Sequence, residues 1–133
     1  MQKTILTDAA FMGLRSVIGV IFIVHGVAKF DAGFANFMPN LGLPVELQIP
    51  IALAELIPGI LLILGVFTRL SASLLSIVML GAIIHVKGAA SLTGDKGVEF
   101  ELILLAVVLL IIVMGPARIS LAHLLKKLPS YLQ

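Results

Sequence analysis

The sequence predicts an all-α membrane protein: a four-transmembrane-helix bundle with a short C-terminal amphipathic helix. Composition and patterning both carry that reading. Of the 133 residues, 60% are hydrophobic and 12% are charged, where a water-soluble domain has about 25% charge. Mean hydropathy is +1.20. The apolar residues fall into four runs, each about long enough to cross a ~30 Å hydrocarbon core. A helix is the open-chain structure that satisfies its own backbone there. Disorder is excluded by the same composition, and a soluble enzyme domain is disfavoured.

All four runs belong to a single domain, residues 1–133. The first span covers residues 8–30, with Thr7 or Asp8 as N-cap. The second covers 45–67, entered through Gly42-Leu43-Pro44, where Pro44 suits a first-turn position. After a tight turn at Thr68-Arg69, the third covers 70–87; the fourth covers 98–115 and stops at Gly115-Pro116. Residues 118–129 form the amphipathic tail. There Leu121, Leu124, Leu125 and Leu128 share one face beside His123, Lys126 and Lys127, which suits an in-plane anchor. Lys3 ahead of an apolar stretch resembles a signal peptide, but no small-x-small cleavage site follows, so the helix is expected to be retained. The connection 31–44 spaces Phe34, Phe37, Met38 and Leu41 as a helix would and is expected to lie on the membrane surface.

Basic residues near the span ends set the orientation. Lys3, Arg69, Arg118, Lys126 and Lys127 stand on the N-terminal side, against Lys29, Lys87 and Lys96 opposite. The excess places both termini in the cytoplasm of a multi-pass protein of the cell membrane. A net charge of +2 with no basic stripe gives no footprint for nucleic acid. The absence of cysteine excludes disulfides, thiolate catalysis and protein-ligated iron–sulfur clusters.

A charge at mid-span costs about 2.5–3.5 kcal/mol on the insertion scale, so the charges kept there are the informative ones. Arg15 and Glu55 lie inside the first two spans. Arg15, Ile18, Phe22, His25 and Lys29 recur at steps of three and four along one seam. Gly19 and Gly26 flank that seam and allow close approach of another helix. Glu55 precedes Pro58-Gly59, where the missing amide predicts a kink and a free Ala54 carbonyl. Gln48 shares the stripe of Glu55; Ser71, Val78 and His85 share one on the third span. Glu99 and Glu101 point to roughly opposite faces of the fourth, so at most one of them faces inward, and Glu99 is taken with the cluster. Arg15 is long enough to reach towards Glu55, and Lys29 has the alternative of snorkelling to the interface.

These residues admit three readings. Arg15, His25, Lys29, Glu55, His85 and Glu99 form either a self-neutralising network that fixes helix register, or a pocket for a small polar-headed ligand such as a quinone. A metal or bis-histidine haem b site is disfavoured, because no HxxxH or ExxH spacing is present. A catalytic residue cannot be named, because no nucleophile–base pair is recognisable.

Several of these residues also carry a resemblance. Arg15 with His25-Gly26-x-x-Lys29, Gly42-Leu43-Pro44, Glu55-x-x-x-Gly59, Gly65-x-x-Thr68-Arg69, Glu99-Phe100-Glu101 and Gly115-Pro116-x-Arg118-x-Ser120-Leu121 together resemble the DoxX family of small four-helix membrane proteins. Two positions depart from it: Pro58 stands where the family usually has glycine, and Ala122 where it usually has aspartate. The resemblance implies association with membrane redox complexes, including a thiosulfate:quinone oxidoreductase and thiol-stress assemblies. It places Arg15, His25, Lys29 and Glu55 at the family's polar positions. The chain is therefore expected to be a membrane subunit of a redox assembly, at most one part of an oxidoreductase, with a quinone as the candidate ligand. Its partners would be the bilayer, other subunits, or further copies of itself. A structural accessory subunit and a small transporter or proton-conducting oligomer are the alternatives, although no inverted repeat marks a transporter.

Overall fold

A computed structural model describes residues 2–86, 88, 91–94 and 97–116. Among them the chain is wholly helical, with five α-helices and no strand. These are α1 (Gln2–Ala28), α2 (Ala32–Phe37), α3 (Gln48–Leu64), α4 (Thr68–Gly81) and α5 (Glu99–Met114). Short 3-10 turns, Met38–Leu41 and Val45–Leu47, link α2 to α3, and a π-helical turn, Ala82–Val86, extends α4. The expected tail at 118–129 lies outside the described residues.

Helix α1 starts well before the expected N-cap, and Thr7 and Asp8 sit within it. No proline or glycine precedes Gly13 to stop it. Among the described residues, three segments are long and apolar enough to cross a membrane: Ile5–Ala28, Val45–Leu64 and Thr68–His85. Helix α5 has 16 residues, about 24 Å at 1.5 Å per residue, and falls short of that length.

The expected turn at Thr68-Arg69 falls slightly earlier. Gly65 is left-handed (φ 71°), with its amide on the carbonyls of Leu61 and Leu62, and closes α3. Phe67 is left-handed too (φ 50°), so the chain reverses within three residues and Thr68 already begins α4. Arg69 then crosses to α5, donating through Nε to the Ile112 carbonyl at 3.0 Å and through Nη2 to that of Val113 at 3.3 Å. It binds the negative end of the α5 dipole, a structural task beyond the orientation signal read from sequence.

Packing runs from α1 to α3, α3 to α4, α4 to α5, and back from α5 to α1. Ile18, Phe22, Leu62, Leu75, Val108 and Ile111 belong to the shared apolar core. The α1–α3 contact is backbone to backbone. A Cβ on Gly26 would stand 2.8 Å from the Leu56 amide, and one on Gly19 would stand 2.6 Å from the Gly59 carbonyl oxygen. Only glycine permits that approach. Val17, Val20, Val24, Ile77, Ile84 and Val113 point outward and are exposed, an apolar surface suited to lipid rather than water.

Candidate functional site

The α1 seam faces inward: Arg15, Ile18 and Phe22 are buried, and Lys29 at its end is half-buried. Across the close α1–α3 contact stands Glu55, 2% exposed. Lys29 Nζ donates to both Glu55 carboxylate oxygens, each at 2.8 Å. Lys29 therefore turns into the protein instead of snorkelling. Its Nζ also lies 5.7 Å from the centre of the Phe34 ring. Such charge-assisted bonds are roughly twice as strong as neutral ones, and they make a buried carboxylate tolerable.

Arg15 sits deeper. Its Nη1 donates to the Leu62 carbonyl at 3.1 Å, two helical turns along α3 from Glu55. That bond helps the guanidinium occupy the core, where Arg15 is 1% exposed.

The segment after α1 folds back over the Lys29–Glu55 pair. Asp31 caps α2 by accepting from the Ala32 amide. Gln48 Nε2 donates to the carbonyls of Lys29 (2.9 Å) and Asp31 (3.0 Å), tying the start of α3 to the end of α1. Met38 is fully buried. Phe34, Phe37 and Leu41 roof a cavity of about 440 Å³. Their helix-like spacing was visible in the sequence, but the fold-back that gives them a shared target was not.

That cavity collects His25, Lys29, Glu55 and His85 from α1, α3 and the end of α4. Glu101 joins them, and Glu99 does not: Glu101 is buried whereas Glu99 is exposed. Residues two apart on a helix differ by about 200°, so the phase of α5 selects one. Phe100, read in the sequence only as part of the Glu99-Phe100-Glu101 motif, stacks on His25 with ring centres 5.8 Å apart and planes 24° apart. His85 Nε2 lies 2.6 Å from the Leu41 carbonyl oxygen. A carbonyl only accepts, so Nε2 carries the proton in this contact. The remaining walls are apolar, among them Ile51, Val78, Met79 and Leu104. Gly19, Gly26 and Gly59 are packing residues, and Pro58 is buried within α3. Among the described residues, no group of three or more His, Asp or Glu is gathered as for a metal ion.

Fold and site together define a helical membrane protein with a largely apolar cavity into which a few ionisable side chains converge. The family model of DoxX matches residues 10–88, and the chain belongs to that family. It is 38% identical over 96 residues to "Putative oxidoreductase CatD" of Bacillus subtilis, covering 71% of this chain and 72% of that protein. It is also 38% identical over 82 residues to an uncharacterized protein of Haemophilus influenzae, covering 59% of this chain and 61% of that one. No solved structure gives a significant match.

Proposed function

We propose that the chain is a four-span subunit of a membrane redox assembly, whose cavity binds the ring of a quinone or a similar small ligand. The observation that carries this reading is the cavity of about 440 Å³, apolar on most sides, with the Lys29–Glu55 pair at one wall. Ligand sites usually measure about 300–1,000 Å³ and combine apolar walls with a few convergent polar groups. Two of the three Lys29 N–H groups are used by Glu55, which leaves one to donate to a ring oxygen. His85 lines the same cavity and brings a second ring nitrogen to it, and the stacked His25–Phe100 pair offers an aromatic wall. A quinone would supply two-electron redox chemistry; the chain's own residues would hold and orient it. The oxidoreductase name of the Bacillus subtilis relative supports a redox setting.

In this reading α5 is the fourth span. The protein lies in the cell membrane with both termini in the cytoplasm. The experiment is gentle purification from the membrane, extraction and mass spectrometry of what co-purifies, and an optical spectrum. A quinone that is bound by the wild type and lost in Glu55→Gln supports the reading. A ligand-free, monodisperse protein whose Glu55→Gln variant is merely less stable leaves a packing role, and a Soret band replaces the quinone with haem.

A further inference from the structure

A second concavity, about 560 Å³, lies between α3 and α4 and opens to the outside of the protein. Its α3 wall is formed by Ala54, Ile57, Pro58 and Leu61; its α4 wall includes Leu70, Ser71, Leu74 and Ile77. Ile57, Leu70 and Ile77 are exposed, at 49%, 51% and 66%. In a membrane this face meets hydrocarbon.

Helical periodicity joins this groove to the polar cavity. On α3, Ile51, Ala54, Glu55 and Pro58 fall at i, i+3, i+4 and i+7, which is one continuous stripe. Ile51 and Glu55 line the cavity, while Ala54 and Pro58 line the groove. On α4 the stripe is Ser71, Leu74, Val78 and Ala82. Its first two members line the groove and its last two the cavity. On both helices the cavity lining thus adjoins one edge of the groove, at Ala54 and Pro58 on α3 and at Ser71 and Leu74 on α4, while Leu53 and Ile57 turn further towards the outside. The groove spans Leu53 to Leu61 on α3, about 12 Å at 1.5 Å per residue.

We infer that cavity and groove form one slot for one amphipathic ligand, with a polar ring at Lys29–Glu55 and a linear hydrocarbon tail between α3 and α4. The inference rests on the ligand reading proposed above and adds the tail, its path and its direction. The tail runs from the Glu55 level towards Leu61 and Leu70, which are near the α3–α4 turn. Because the groove opens sideways, the ligand enters from the bilayer with its tail already in hydrocarbon. Its tail gains little hydrophobic free energy on leaving lipid, so tail recognition rests on packing and depends on the groove's shape.

The test uses the full chain in lipid nanodiscs and two probes: a tailless benzoquinone, and the same ring with a ten-carbon chain ending in a diazirine. Binding of the tailless ring, lost in Glu55→Gln, tests the ligand reading by itself. Photolysis of the tailed probe is then expected to label Ile57, Leu61, Leu70 or Leu74 rather than Val20 or Val113. That labelling should fall at least tenfold in Glu55→Gln. Ser73→Phe and Leu74→Trp, which fill the groove from the lipid side, should weaken the tailed probe at least tenfold and leave the tailless ring within twofold. Circular dichroism and melting of each variant identify any that fail to fold, and Ser73→Leu then replaces them. Tail labels spread around the whole bundle, with ring binding intact, overturn the slot and leave the cavity reading standing. Groove labelling insensitive to Glu55→Gln, and matched by a headless alkyl diazirine, makes the groove a lipid site and overturns the slot. Failure of the tailless ring to bind the wild type removes the ligand reading and the slot with it.

Discussion

Gly19 and Gly59 face each other across α1 and α3, and each fills with a carbonyl oxygen the space where the other's Cβ would stand. A Cβ on Gly19 would lie 2.6 Å from Gly59 O, and one on Gly59 would lie 2.8 Å from Gly19 O. Gly19→Ala and Gly59→Ala are therefore expected to force the two backbones apart, destabilising the protein by about 1–3 kcal/mol. Gly13→Ala is the control, because no atom lies within 4 Å of its added Cβ. Thermal melting in detergent should separate the three; equal midpoints would contradict the backbone contact.

Lys29→Met removes the cation from a buried carboxylate. Breaking a buried pair in this way costs about 3–5 kcal/mol, while replacing both partners is often close to neutral. The double variant Lys29→Met/Glu55→Leu should thus recover most of the loss seen in Lys29→Met. A double-mutant cycle on unfolding free energies measures the coupling, and additive losses would show that the pair contributes nothing as a pair.

The hydroxyls of Thr68 and Ser71 are buried without a hydrogen-bond partner. An unsatisfied buried hydroxyl costs about 1–3 kcal/mol. Thr68→Val and Ser71→Ala, which keep the shape or nearly so, should be neutral or stabilising. A fall in melting temperature for both would mean that the hydroxyls are satisfied in the membrane.

Arg69 reaches two carbonyls in the last turn of α5. Arg69→Gln should cost about 1.5–3 kcal/mol, the range for a hydrogen bond to a charged group. The loss should be local at first. Hydrogen exchange is the discriminating readout: amides of the last turn of α5 should exchange faster, while those of α1 stay unchanged.

Gln48 ties α3 to the carbonyls of Lys29 and Asp31. Gln48→Leu keeps the bulk and removes both bonds. Faster exchange across residues 32–43, with the α1–α3 contact still protected, is the expected result.

The helices and the inward seam of α1 were legible because they rest on local spacing: apolar run length, and steps of three and four from Arg15 to Lys29. The glycine approach was legible for the same reason. What local spacing cannot carry is the choice between partners. Lys29 near a span end has two destinations, interface or interior, and the fold-back of residues 31–43 closes the first by covering it with Phe34. Glu99 and Glu101 differ only in phase, and the first residue of α5 decides that phase. Arg69 looked like a topological charge because its acceptors, the carbonyls of Ile112 and Val113, lie more than forty residues away.

The π-helical turn Ala82–Val86 has its own consequence for how this protein tolerates change in length. A π turn holds more residues per turn than the α-helix around it, and such turns occur frequently at functional sites. Here it carries His85 to the Leu41 carbonyl. Deleting one residue from it would restore an ordinary helix and swing everything beyond by about 100°, taking His85 off both the roof and the cavity. The segment is thus the point in α4 where gain or loss of a single codon would rewire the pocket while the apolar span remained intact.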